Sequence, residues 1–161
     1  MNTHSIFLDV AETISQMSHC VSHKVGAILV KDKRIISTGY NGTPKGFLNC
    51  DEVNTNVSRE KHHEFSEMFE IHAELNAILC AARNGISIEG SILYSTLHPC
   101  YDCLKMICNS GIKTIIYRYE YDKFTMNSEV KRMLDLCGII LISEKDILKL
   151  VYFFELNCYI V

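Results

Sequence analysis

His72, Glu74, Cys100 and Cys103 are the side chains of this sequence best suited to chemistry. They occur in two short strings, His72-Ala73-Glu74 and Pro99-Cys100-Tyr101-Asp102-Cys103. One imidazole and two thiolates supply three ligands to a zinc ion and leave a fourth position for water. A carboxylate two residues from the histidine is placed to take a proton from that water. Cys100-x-x-Cys103 alone also fits a redox pair or half of a structural zinc knuckle. A structural site closes with a second Cys or His pair of similar spacing, and none follows Cys103.

The surrounding pattern puts both strings at helix starts. Residues 71–83 carry Leu75, Ile78, Leu79 and Ala82 at helical spacing, which predicts a helix with these four on its apolar face. Asn84-Gly85 is its stop. His72 and Glu74 then lie in its first turn. A second helix is expected over 100–110, ending at Ser110-Gly111. Its two cysteines, three apart, face one side. Partial positive charge at a helix N-terminus favours thiolate over thiol by about 0.3–1 kcal/mol per site.

Hydrophobic periodicity extends this to the whole chain. A helix over 3–17 (Ile6, Val10, Ile14) precedes a buried strand, Val25 to Val30. Lys31-Asp32-Lys33 turns into a return strand, Arg34 to Thr38. Polar residues 40–62 read as loop. After the His72 helix come a strand at 91–95, the Cys100 helix, a strand at 113–117, a helix at 128–136 stopped by Gly138, a strand at 139–142 and a helix at 145–156. The order α-β-β-α-β-α-β-α-β-α predicts an α/β fold. Its five-stranded mixed sheet is mostly parallel, covered by helices, with one antiparallel hairpin at its start. Catalytic groups then sit beyond strand ends. Ile147, Leu148, Leu150, Val151, Phe153, Phe154 and Leu156 give the last helix more apolar surface than one sheet face needs. The surplus fits core packing or a subunit interface.

Composition narrows the function classes. The 161 residues suit a single domain, 1–161. A chain of this length buries about 70% of its unfolded surface. Net charge is −3 and there is no Trp. With no basic stripe either, a nucleic-acid binder built on phosphate contacts is disfavoured. A local basic pocket can still take one phosphorylated metabolite. Residues 1–10 show no signal peptide, so the eight cysteines are expected reduced in a cytoplasmic protein. Cys80, Cys108, Cys137 and Cys158 are expected as small buried hydrophobes. No apolar run is long enough to span a membrane.

H-x-E…P-C-x-x-C is the signature of zinc nucleobase deaminases. Gly39-Tyr40-Asn41-Gly42-Thr43-Pro44, Asn49-Cys50 and Tyr121-Asp122-Lys123 refine the match. From about Ser18 to Lys123 the chain resembles the deoxycytidylate deaminase family. That resemblance implies the cytidine-deaminase-like fold and hydrolysis of dCMP to dUMP and ammonia, supplying dUMP for thymidylate synthesis. It implies that Asn41 hydrogen-bonds the nucleotide and that Tyr121 lies near it. It also implies a homo-oligomer, commonly a hexamer, activated by dCTP and inhibited by dTTP with Mg²⁺. The regulatory nucleotide would bind near Gly42, Thr43 and a subunit contact. Arg83 matches a position tied to that regulation, and equally fits a solvated helix-end cation.

Some members of the family carry a second, structural zinc. The matching positions are Cys20, Cys50, His62 and Glu70, with His19 and His63 near enough to substitute. Two sulfurs, a nitrogen and an oxygen suit a tetrahedral site, which would shorten the free length of the 40–62 loop. The other reading leaves free thiols and a surface histidine. The chain departs from the family in a short Cys50–His62 segment and in His98 before Pro99.

The expected chemistry follows from the ligands. Zinc lowers the pKa of its water from about 15.7 towards roughly 7. Glu74 moves the proton to ring N3 and then to the departing amine, which needs a pKa near the working pH. An apolar wall raises it. The Ala73 N–H can hold the base carbonyl, and the His98 carbonyl can accept from the amino group. Lys123, Lys24 and Arg59 are unranked partners for the 5′-phosphate. Competing readings are a zinc deaminase for free cytidine, a pterin or flavin precursor or a tRNA adenosine, and a zinc-stabilised binding protein without turnover.

Overall fold

The computed structural model describes residues 2–54 and 56–150. Five strands form one sheet: β1 (Gly26–Lys31), β2 (Arg34–Tyr40), β3 (Ile92–Leu97), β4 (Thr114–Tyr119) and β5 (Ile140–Ser143), in the order β2-β1-β3-β4-β5. The helices are α1 (Thr3–Ser15), α2 (Cys50–Val53), α3 (Arg59–Phe69), α4 (Ala73–Arg83), α5 (Tyr101–Cys108) and α6 (Ser128–Cys137). A seventh, α7, runs from Glu144 through residue 150. The expected Val151, Phe153, Phe154, Leu156 and Cys158 lie outside the described residues.

The mixed α/β sheet agrees with the sequence reading, but less of it is parallel than expected. β1 is antiparallel to both β2 and β3, whereas β3–β4 and β4–β5 are parallel. The connection from β2 through α4 to β3 brings the chain back in the same direction, and β1 lies between them with opposite polarity.

Alternation along β1 divides the core. Ala27 and Leu29 face α4, α5 and α6, in a cluster with Leu93, Leu104, Ile107 and Ile115. Ile28 and Val30 face the other layer, with Leu8, Tyr94, Ile116 and Ile147.

Residues 40–62 are not all loop. α2 starts at Asn49, whose backbone N–H donates to the Glu52 carboxylate at 2.6 Å. α3 starts at Ser58, whose hydroxyl accepts from Lys61 N–H. No residue of α3 is fully buried. Its apolar groups, Phe65, Met68 and Phe69, are confined to its last turns, so its first half reads as polar.

The buried face of α4 also differs from the one expected. Ala73, Glu74, Ala77 and Ala81 are buried, Leu75 and Ile78 are half-buried, and Leu79 and Ala82 are exposed. The cause is a close crossing with β2. A Cβ at Gly39 would overlap the Ala73 carbonyl and the Ala77 N–H, so only alanines fit on that side. Ser37 Oγ donates to Ala77 O at 2.7 Å, and Asn76 Nδ2 donates to Tyr40 O at 2.7 Å, fastening helix to strand.

The cysteine expectation holds only in part. Cys80 and Cys108 are half-buried and Cys137 is exposed, at the end of a helix whose one fully buried residue is Leu134. The seven described cysteines are all free thiols. Among the described residues no helix is long and apolar enough to cross a membrane.

Candidate active site and metal centres

His72 is the N-cap of α4 and Cys100 the N-cap of α5, each with extended backbone and no capping bond from its side chain. Their side chains are therefore free to meet. His72 Nδ1 lies 3.3 Å from Cys100 Sγ and 3.4 Å from Cys103 Sγ, and the three donor atoms form a compact ligand group. Two facing helix starts place it beyond the ends of β2 and β3, as the topology requires.

The thiols share their protons unequally. Cys100 is pulled down to about 4, first by a hydrogen bond from Cys103, with His72 adding to it against the cost of burial. Cys103 is pushed up by that same bond and by burial. His72 is raised to about 9, chiefly by its bond to Cys100. The protein alone thus favours an imidazolium–thiolate pair. A divalent cation would displace those protons and match two thiolates and a neutral imidazole.

Glu74 is 4% exposed. Burial raises its pKa, and its carboxylate is within hydrogen-bond reach of the Cys103 thiol. A cavity of about 620 Å³ opens above these groups. That is the size range of small-ligand sites.

A second group joins elements far apart in sequence. One donor atom each from Cys20, Cys50, His62 and Glu70 lies within 4.8 Å of all the others. Cys20 Sγ is 3.5 Å from His62 Nε2. Ser66 donates to Glu70 Oε2 at 2.7 Å, while Glu70 Oε1 is buried without a partner. Burial pushes Cys20 up to about 11 and also raises Cys50. Two sulfurs, one imidazole and the orphaned Glu70 oxygen make four donors that fit a tetrahedral dication. His63 instead pairs with Glu67, and His19 with Asp51.

The family profile for the cytidine and deoxycytidylate deaminase zinc-binding region matches residues 1–119. The chain belongs to this family. It is 45% identical to deoxycytidylate deaminase of Enterobacteria phage T2, over 74% of this chain and 81% of that one. The phage T4 deoxycytidylate deaminase is 44% identical, over 74% and 79%. The crystal structure of dCMP deaminase from cyanophage S-TIM5 in complex with dCMP and dUMP superposes with a TM-score of 0.69 at 36% identity, covering 86% of this chain and 94% of that one.

In this deaminase Asn41 lines the cavity, but its amide is partly engaged. Oδ1 accepts from Val25 N–H at 2.8 Å and Nδ2 donates to the His23 carbonyl at 2.9 Å. One N–H and one lone pair remain. Ala73 N–H, also at the cavity, has no acceptor among the described residues. Tyr121, Arg59 and Lys123 line the cavity and Lys24 does not.

The expected regulatory residues separate. Gly42 exchanges backbone hydrogen bonds with Ile71 at the start of α4, and Thr43 follows it. Arg83 is exposed in the last turn of α4, so about 15 Å of helix lies between them within one chain.

Two contributors escaped the sequence reading. Ser66 orients Glu70 and lies 3.4 Å from His62 Nε2. The spacing His62-x₃-Ser66-x₃-Glu70 on one helix face was its signal. Phe124, packed against His98, had no signal, because its partners come from another element.

Proposed function

We propose that this chain hydrolyses dCMP to dUMP and ammonia. The observation that carries the reading is Glu74, a buried carboxylate beside the His72–Cys100–Cys103 group at the floor of the cavity. A zinc ion held by those three residues supplies Lewis acidity that lowers the pKa of a bound water towards about 7.

The chain's own groups do the rest. Glu74 accepts a proton from the attacking water and delivers it to ring N3. It then takes the second proton from the added hydroxyl and gives it to the departing amine, so the C4 carbonyl forms as the C4–N bond breaks and the carboxylate ends as it began. Burial suits it to this exchange, because a raised pKa makes the carboxylate a better proton acceptor. The unpaired Ala73 N–H donates to the pyrimidine carbonyl, and Asn41 uses its free valences on the sugar. Arg59 and Lys123 are the cations at the cavity wall and bind the 5′-phosphate. The Cys20, Cys50, His62 and Glu70 group holds a second, structural zinc.

We further propose one deaminase domain spanning 1–161, a hexamer, and control by dCTP and by dTTP with Mg²⁺ through Gly42, Thr43 and Arg83. The 15 Å gap within one chain supports a regulatory site completed by a neighbouring subunit. Exposed Leu79 and Ile86 near Arg83 supply apolar area for such a contact. Seven free thiols support a cytoplasmic protein making dUMP for thymidylate synthesis.

The test is ultraviolet absorbance with dCMP, deoxycytidine and an RNA hairpin as substrates, with and without dCTP and dTTP. Turnover of dCMP alone is expected. No turnover under any of these conditions would reject the assignment.

A further inference from the structure

Phe124 belongs to no regular element, yet it is the middle ring of a three-ring stack. Its ring lies 4.1 Å from that of His98 and 4.7 Å from that of Tyr101. These two residues flank Pro99-Cys100, so the stack sits over the entry to the metal-ligand string. Both outer rings are themselves fixed. His98 is 4% exposed, has Tyr117 at its edge at 4.6 Å, and pairs Nδ1 with the Pro99 carbonyl at 2.8 Å. Tyr101 donates its hydroxyl to the Thr125 carbonyl at 2.7 Å, which closes the far side of the stack.

What the stack holds is the turn before it. Phe124 N–H donates to the Tyr121 carbonyl at 2.8 Å, closing a turn over Tyr121, Asp122, Lys123 and Phe124. Tyr121 and Lys123 of this turn line the cavity. The segment from β4 to α6 has no sheet or helix hydrogen bonds of its own to set this wall. The two aromatic contacts of Phe124, its packing on the core, the Tyr101 hydroxyl and a bond from the Tyr117 hydroxyl to Glu120 at 3.0 Å set it instead.

We propose that Phe124 is a positioning residue. Clamped between His98 and Tyr101, it fixes the 121–124 turn as a substrate-binding wall relative to the Cys100 and Cys103 ligands. It does not line the cavity itself, so its loss acts on binding rather than on chemistry. The proposal rests on the dCMP reading for its kinetic test and on the stack alone for its structural one.

The kinetic test compares the zinc-loaded wild type, Phe124→Ala and Phe124→Tyr with dCMP. In Phe124→Ala, KM is expected to rise about tenfold, the order that two lost aromatic contacts supply, with kcat within about twofold. Zinc content stays as in wild type, and Phe124→Tyr restores KM. The structural test is limited trypsinolysis at the Lys123–Phe124 bond, followed by mass spectrometry. Cleavage is expected several-fold faster in Phe124→Ala than in wild type or Phe124→Tyr. An unchanged KM together with unchanged cleavage would overturn the proposal. So would a fall in kcat accompanied by loss of zinc, since Phe124 would then be holding the ligands and not the wall. If wild type fails to turn over dCMP, the functional reading fails, and trypsinolysis still decides the clamp.

Discussion

Glu70 and His72 stand on either side of Ile71 and serve different ligand groups. Glu70 joins Cys20, Cys50 and His62, and His72 joins Cys100 and Cys103. Ile71 between them is pinned by both of its backbone groups, accepting from Gly42 N–H at 3.1 Å and donating to Gly42 O at 2.9 Å. The two groups are thus mechanically joined through one residue. Whatever fixes Glu70 also limits where His72 can point.

Replacing the second group should therefore be felt at the first. Cys50→Ala should remove one zinc per chain on elemental analysis and lower Tm, by roughly 4 °C for each kcal/mol lost in a chain this size. Zinc at His72, Cys100 and Cys103 should then exchange faster with a chromogenic chelator. Unchanged exchange with the second zinc gone would show the two groups to be independent.

Glu74→Gln keeps shape and volume but removes the proton carrier. Its kcat for dCMP should fall by about 10²–10⁴-fold, the range of a general acid–base group. Zinc content and Tm should stay near wild type. Activity within tenfold of wild type would assign proton transfer to another group.

Cys100→Ser should lose the active-site zinc altogether. It removes one of three protein ligands and also the partner that holds the imidazole of His72. Zinc per chain should fall by about one, with turnover below detection.

Gly39→Ala tests the crossing of β2 and α4. The added methyl group meets the backbone of Ala73 and Ala77, which no side-chain rotation relieves. A loss of about 1–3 kcal/mol in urea unfolding is expected. Activity should drop as well, because Ala73 and Glu74 move with the helix.

Arg118 carries a different load. It reaches Asp9 at 2.7 Å, Glu144 at 2.8 Å and Glu12 at 3.9 Å, tying α1, β4 and α7 together. Arg118→Met leaves three carboxylates facing one another, and Glu12 Oε2, already buried without a hydrogen-bond partner, loses its ion pair as well. A loss of about 2 kcal/mol at neutral pH is expected. Salt screens repulsion between charges, so the deficit relative to wild type should shrink as ionic strength rises, and a constant deficit would exclude repulsion as its cause.

The candidate active-site ligands were legible as a group because they are local. His72-x-Glu74 and Cys100-x-x-Cys103 each lie within one helical turn, so spacing alone states which side chains share a face. Strand alternation and the Gly and Asn stops likewise placed most elements, since those signals act over a few residues. The resemblance to a family, and not spacing, named Cys20, Cys50, His62 and Glu70, because fifty residues separate the first from the last.

Other features depended on the third dimension. The first half of α3 is polar and none of its residues is fully buried, so its start was read as loop. The buried side of α4 was set by the absence of a side chain at Gly39, on a different strand. The Phe124 stack joins residues from the β3–α5 connection, α5 and the β4–α6 connection. A sequence determines what each short stretch prefers and which groups can do chemistry. Only the packed chain decides which of them touch, because contact between distant elements depends on the space that each leaves for the other.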